Sequence, residues 1–444
     1  MSETPTPIGE SSTIFLIYSY EAEGAGPDFD LDAFERQLCA NDRWNLKRLD
    51  DTALLPHLDA IREGQLLRRY YVGSQLGNLF SERDGPWTLH GEGSAKVQVR
   101  ISEAPSVYAF ETGYVFIAIG VQPVDADLAT YQNTLNALVR RGVHGLREGS
   151  LPKQANAWTE KHAASARTLR TWLAALVPAL KLLIPEGGRE NPVSVGALFC
   201  ETPLDALDRH RLRLAQAHSQ DIPPSEHDAR TQDHPAIWCP SANEMCLFSS
   251  LGVQWVIKPS VPFLRNNLLG MIGSSYLYKW MLVAHQRIYL LRLTSSAVEV
   301  SRRGGVQGAD RLRVALLRYT AVINCGHISD EERHDQFYGA IRRALDIEGL
   351  YEEAKEEITE IHEHAGARQA ERINHVLAFL TIVLTPIGMV VGIFQGDTLP
   401  WPPGQFKLGY LFSWSGWSKL LDHGPFRLLL LCAVIGVALF LFFR

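Results

Sequence analysis

Cysteine is scarce in this chain: six in 444 residues (Cys39, Cys200, Cys239, Cys246, Cys325 and Cys432), with no CxxC pair. Scattered thiols at this length read as reduced and mostly buried, which excludes a disulfide framework. Cys239 and Cys246 lie near His234, but in no standard zinc spacing. Basic residues are not in excess either. Lys and Arg number 43 against 49 Asp and Glu, a formal charge of −6, and no dense basic patch is present. That balance argues against a nucleic-acid binder. The opening "MSETPTPIGESS" has no basic n-region and no apolar h-region, so no secretory signal is expected. Short catalytic signatures are also missing: no Walker glycine loop, no G-x-S-x-G, no G-x-G-x-x-G after a strand and no HExxH. The histidines of "HEH" (362–364) fall on opposite helix faces. No enzyme is expected.

What is present is a strong asymmetry. Nearly all the charge precedes residue 375, and the last 70 residues hold two long apolar runs. Val376 to Phe394 is 19 residues without a charge, a helix of roughly 28 Å against a hydrocarbon thickness of ~30 Å. The second run, "FRLLLLCAVIGVALFLFF" (426–443), carries only Arg427 as a charge. Both read as transmembrane helices, at 376–395 and 426–443, joined by an external loop at 396–425. "LRTWLAALVPALKLLI" (169–184) and "YLYKWMLVAHQRIYLLRL" (276–293) hold internal charges and read as soluble helices. A large body without a signal stays on the inner side, so the expected placement is multi-pass in the inner membrane with both termini cytoplasmic.

Upstream of the first span, residues 344–374 read as one long helix. Ile347, Tyr351, Ala354, Ile358, Ile361 and Ala365 recur at steps of 4, 3, 4, 3 and 4, a heptad seam that suggests a homo-oligomer around an axis. The other faces carry acids, among them Glu356, Glu360 and Glu363, which suit either a divalent-cation antechamber or a solvated face.

The body reads as α/β with antiparallel pairing. "TIFLIYSY" (13–20) opens as a strand, and residues 106–123 form a hairpin turning at Glu111-Thr112-Gly113. A helix follows at 125–142. A similar hairpin at 245–259, followed by a helix from 274, suggests a degenerate internal repeat. Polar, proline-bearing connectors lie at 184–192 and 219–235. The resulting organisation is a first α/β lobe at 1–150, a second at 151–305, stalk helices at 306–375, and the membrane part beyond.

This layout resembles the CorA family of divalent-cation transporters, with its zinc-transporting branch. The local match is P-x5-G-[IV]-[YF], here Pro386, Gly392, Ile393 and Phe394, with Asn374, Leu380 and Thr381 as an N-x5-L-T block upstream. The resemblance implies an α/β cytoplasmic domain, a long stalk helix, two C-terminal transmembrane helices and a homopentamer that moves Mg²⁺ or Zn²⁺. The family's Gly-Met-Asn hallmark, or Gly-Ile-Asn in the zinc branch, is replaced by Gln395, Gly396 and Asp397. By that resemblance Asn374, Thr381, Thr385, Gly388 and Gln395 would line the pore, and Asp397 would form a ring of carboxylates at its mouth. Thr381, Thr385 and Gly388 share one helix face, which also suits helix packing. The altered hallmark favours a second expectation, a CorA-like effector whose enlarged body binds a small, nucleotide-like signal and gates membrane permeability in a prokaryotic defence response. Arg302 and Arg303 of "SRRGGVQGAD" (301–310) would suit a phosphate, and the same glycines equally suit a surface turn.

Overall fold

The computed structural model describes residues 8–395 apart from 10, 27–28, 48–57, 59–60, 62, 81–84, 92–93, 126, 148, 178–179, 182–191, 202–213, 215–216, 218–236 and 304–305. The chain divides into two compact units. One comprises residues up to 298 together with 312–357, the other 299–311 together with residues from 358 onward.

The first unit is built on an 11-stranded mixed sheet. Its strands are β1 (Thr13–Ala22), β2 (Trp44–Lys47), β3 (Leu67–Val72), β4 (Trp87–His90), β5 (Lys96–Phe110), β6 (Tyr114–Pro123), β7 (Leu180–Lys181), β8 (Val193–Phe199), β9 (Ile237–Ser241), β10 (Glu244–Ser249) and β11 (Gly252–Ile257). They run in the order β2-β3-β5-β6-β1-β8-β11-β10-β9, with β4 on β5 and β7 on β1. β1 and β6 are apolar on both faces and nearly continuously buried, the pattern of strands covered on both sides. They pair antiparallel from Ile14↔Val121 to Glu21↔Tyr114. β8 and β11 are parallel, Gly252 opposite Ser194. Only glycine fits there, because a Cβ on Gly252 would meet the Ser194 carbonyl oxygen and its φ is +136°.

Helices cover both faces. On one side lie α1 (Leu31–Leu38), α2 (Leu128–Val139), α3 (Lys153–His162) and α4 (Leu169–Leu176). Their apolar faces join Tyr18, Tyr20, Ile117 and Ile119 of the sheet in one core that includes Leu135, Leu138 and Trp172. Side-chain caps start three of them: Asp30 accepts from Ala33 N, Asp127 from Thr130 N, and Thr168 from Thr171 N. On the other side lies α5 (Leu277–Arg303), preceded by two π-helical turns, Leu264–Leu268 and Ile272–Tyr276, and then α7 (Glu332–Ala344); α6 (Val306–Arg318) stands between them in the chain. Tyr276, Trp255 and Phe337 meet ring to ring, and Phe110 stacks on His285, tying these helices to the sheet.

The hairpins expected at 106–123 and 245–259 form as β5–β6 and β10–β11, and the helix expected at 125–142 forms as α2. The sheet draws strands from residues 13–123 and 193–257 alike. The run 169–184 is helical only to Leu176. Leu180–Lys181 then pairs with β1, as the mid-run Pro178 in the sequence disfavours a continuous helix.

The C-terminal expectation requires correction. Residues Ile347–Gln395 form a single 49-residue helix, α8. Among the described residues, however, no helix is long and apolar enough to cross a membrane. This overturns the fold with two C-terminal transmembrane helices, and with it the multi-pass inner-membrane placement and the membrane-channel and ion-transport assignment. Absence of charge over 19 residues does not separate a membrane span from the apolar tail of a long, otherwise charged helix. The tail of α8 is the latter, with His375 at its start and exposed Thr381 and Thr385 within it. The loop expected at 396–425 and the run 426–443 lie outside the described residues.

Candidate functional site

The residues singled out in the sequence fall at separate places. Asn374, Thr381, Thr385 and Gly388 are exposed positions of α8, and the Thr381 hydroxyl donates back to the Leu377 carbonyl at 2.8 Å. Gln395 ends that helix, while Gly396 and Asp397 lie outside the described residues. Glu356, Glu360 and Glu363 are exposed on α8. Among the described residues no group of three or more His, Cys, Asp and Glu side chains is placed to hold a metal ion. Arg302 is exposed near the end of α5; Arg303 follows it, and α6 begins at Val306.

The structure assembles a different set of residues. The start of β5 brings Lys96 and Gln98 beside α2 and the segment after it, around a cavity of about 600 Å³. Asp127 fixes the near end of α2, accepting from Thr130 N at 2.8 Å and from the Thr130 hydroxyl at 2.6 Å. From there the helical period places Thr130, Asn133, Thr134 and Ala137 on the cavity side, with Arg141 just beyond the last turn. The apolar part of the lining comes from Ala95, Val97, Val124 and Val143.

Electrostatically the cavity is lopsided. Lys96 and Arg141 are exposed and form no ion pair among the described residues, and Asp125 is the one acid among the lining residues. Asn136, also lining, already donates its amide to the Ala217 carbonyl at 2.6 Å. Thr130, Asn133, Thr134 and Gln98 supply neutral donors and acceptors. An apolar floor with a few converging polar groups, at a volume within the roughly 300–1,000 Å³ of small-molecule pockets, is the ordinary form of a ligand site. Two free cations direct it toward an anion.

A second polar network is structural. Lys279 is fully buried, its Nζ 2.8 Å from His334 Nδ1 and 2.9 Å from the Ser275 hydroxyl. His334 stacks on Tyr276 at 4.8 Å, and Arg333 bridges the Tyr276 hydroxyl and buried Glu244. These groups join α5, α7 and β10 in the interior, and burial pushes the Tyr276 phenol up to about 12, against the pull of Arg333.

The sequence does hold the signal for the cavity, in the polar positions of α2 spaced three to four apart and ending on a cation. What it lacks is the pairing that lays β5 beside them. No family model matches this chain, and no curated protein does. Among solved structures a weak neighbour is the CorA magnesium transporter from Methanocaldococcus jannaschii, at 13% identity and a TM-score of 0.20, covering 59% of this chain and 94% of that one. A likeness at that level decides neither fold nor function.

Proposed function

We propose that this chain is a ligand-responsive regulator rather than a catalyst, and that its α/β body takes up a small anionic molecule of nucleotide size in the cavity between β5 and α2. The observation that carries this reading is the pair of unpaired cations, Lys96 and Arg141, flanking a cavity of about 600 Å³ with neutral hydrogen-bonding groups between them. A phosphate gains most from such cations, and a base or sugar would use the threonine and asparagine groups over the apolar floor. Two helices, α5 and α8, continue from the first unit into the second, which gives ligand binding a covalently continuous route out of the body.

A thermal-shift screen of the full chain tests this. Nucleoside mono-, di- and triphosphates should raise the unfolding temperature, by the mass-action stabilisation a ligand of the native state provides. The Lys96→Ala/Arg141→Ala variant should keep the wild-type temperature without ligand and lose the shift. A screen in which no nucleotide stabilises the protein, or a double variant that responds like wild type, would remove the proposal. MgCl₂ and ZnCl₂ in the same screen test the alternative class, a divalent ion, for which the exposed acids Glu356, Glu360 and Glu363 are the available groups.

A second reading concerns partners. Ile373, Leu377, Leu380 and Leu384 recur along α8 at steps of 4, 3 and 4, and each is 41–56% exposed. A heptad stripe of large apolar side chains left in solvent supports association with a second copy of the chain.

A further inference from the structure

Along the same cavity, β5 presents main-chain groups that the sheet leaves unused. β4 pairs with β5 from Trp87↔Val99 to His90↔Lys96. In an antiparallel pair, residues alternate between turning both N–H and C=O toward the partner strand and turning both away. His90 faces away from β5: its N–H donates to the Gly145 carbonyl at 2.9 Å, and its C=O accepts from Gly145 N at 2.6 Å. Thr88 faces the same way, its N–H donating to the Ser150 carbonyl at 2.9 Å. Their partners across the ladder, Lys96 and Gln98, therefore turn their own N–H and C=O away from β4, toward the side on which β6 runs.

β6 does not reach them. Its pairing with β5 ends at Val99↔Pro123, and the chain then leaves through Val124 and Asp125 toward α2. Among the described residues no main-chain group bonds the N–H or C=O of Lys96 or Gln98 on that side. Ala95, Lys96, Val97 and Gln98 all line the cavity of about 600 Å³, as do Val124 and Asp125. Side chains of consecutive strand residues point to opposite faces, so a cavity that touches four in a row meets the strand along its edge. The unused groups thus open into it as a row of donor, acceptor, donor and acceptor. On the α2 side, lining Thr134 is only 2% exposed, and its hydroxyl has no partner among the described residues.

Resting on the reading of this cavity as a nucleotide-sized anion site, we infer that the open edge of β5 at Lys96 and Gln98 reads the base of the ligand, main chain against base edge, while the Lys96 ammonium and Arg141 hold the phosphate. An open strand edge ordinarily invites another strand. This one is stopped at both ends. β6 occupies it from Val99 onward, and the β4–β5 hairpin closes at the other end, where Gly91 N donates to the Ala95 carbonyl at 2.8 Å. The two residues left between span about 7 Å, room for one planar base and not for a strand of ordinary length. A nucleobase carries a donor beside an acceptor on its pairing edge, the complement of a C=O followed by an N–H. Val97, Val124 and Val143 supply apolar contact for the ring.

The experiment is calorimetric titration of the full chain with the four nucleoside monophosphates and with ribose phosphate, which has no base. The same nucleotides with every N–H of the pairing edge replaced by N-methyl form a third set. At least one nucleoside monophosphate should bind, with ribose phosphate and the methylated form of that nucleotide each about tenfold weaker or more, the worth of the hydrogen bonds lost. Gln98→Pro removes a donor that faces the cavity and no bond of the β4–β5 ladder, a place where a strand accepts proline. It should lose most of the preference for nucleotide over ribose phosphate, whereas Gln98→Ala, which keeps the N–H, should retain it. The unfolding temperature without ligand shows whether Gln98→Pro folds; if it does not, the methylated nucleotides on the wild-type chain decide. Ribose phosphate or methylated nucleotides that bind as tightly as the nucleotides would overturn the inference and leave the anion site standing. A preference undiminished in Gln98→Pro, or lost in Gln98→Ala, would overturn it as well. If none of these phosphates binds, the anion reading of the cavity falls and this one with it.

Discussion

Taken from pH 7 to pH 4, the protein should lose about 6 kcal/mol of unfolding free energy through two imidazoles alone. His285 is fully buried, stacked on Phe110 at 4.1 Å and sharing a 2.8 Å hydrogen bond with the Thr112 hydroxyl. Burial pulls its pKa down to about 3. His144 is almost as deeply buried and shares a 3.1 Å hydrogen bond with the Tyr18 hydroxyl. Burial, aided by the nearby Arg170 charge and opposed by a backbone hydrogen bond at Leu138, lowers it to about 4. Arg292, two turns further along the same helix, is paired with Glu21 at 2.8 Å, and Glu111, next to Thr112 in the chain, with Arg318 at 3.3 Å.

A base with a depressed folded-state pKa binds fewer protons folded than unfolded, so stability rises with pH through that window. Above the unfolded value near 6.5 neither state is protonated and nothing is lost. Below it, each histidine removes ~1.4 kcal/mol per pH unit until its folded value is reached. By pH 4 that is roughly 3 kcal/mol apiece, comparable to much of the 5–15 kcal/mol that stabilises ordinary domains. Urea unfolding at pH 7, 5.5 and 4 reads the slope. His285→Phe should start less stable at neutral pH, having lost the Thr112 bond, and then show a slope shallower by ~1.4 kcal/mol per unit. A double His144→Phe/His285→Phe variant that keeps the wild-type slope would place the acid sensitivity elsewhere.

How much of this molecule is readable in its residues differs from element to element. The β5–β6 hairpin is legible because apolar runs flank a Gly-containing turn, and α2 because its apolar period is helical with an aspartate cap in front. The long helix is legible from its heptad, but what the heptad faces is not. Ile347, Ala354 and Ile358 are buried within the single chain, whereas Tyr351, Ile361 and Ala365 of the same seam are only partly covered. The apolar tail misleads for a related reason: hydropathy reports what avoids water, not whether lipid or protein provides the cover. The candidate site is half legible: the polar spacing along α2 is in the sequence, but Lys96 and Arg141 are 45 positions apart by their numbers and meet at one cavity only through the fold.

Replacing Leu377 and Leu380 of α8 by glutamate should turn an associating protein into a monomer. The surface these residues occupy arises from a slip in the heptad. From Ala365 to Ile373 the step is eight residues instead of seven, which at about 100° per residue turns the stripe by roughly 80° beyond two full turns. The first seam thus stays on the side buried by the chain, and the second emerges into solvent at Ile373, Leu377, Leu380 and Leu384. In sequence the same spacing continues at Ile387, Val391 and Phe394. Fully burying a leucine is worth ~1.5–3 kcal/mol, and each of these two is about half exposed already buried for the rest. Two leucines on each of two copies therefore contribute roughly 3–6 kcal/mol, or between about 10² and 10⁴ in dissociation constant. Glutamates facing each other across the seam subtract further through like-charge repulsion. Light scattering on a sizing column at micromolar concentration should show a multimer for wild type and a single-chain mass for Leu377→Glu/Leu380→Glu. Ala378→Glu, about 130° around the helix from the stripe, is the control and should leave the wild-type mass unchanged. A wild-type protein that is already monomeric, or a double variant that still associates, would show that this stripe is not where copies meet. Retention of the urea midpoint in the monomeric variant would confirm that the leucines serve association and not the fold of the body, because their side chains stand in solvent in the single chain.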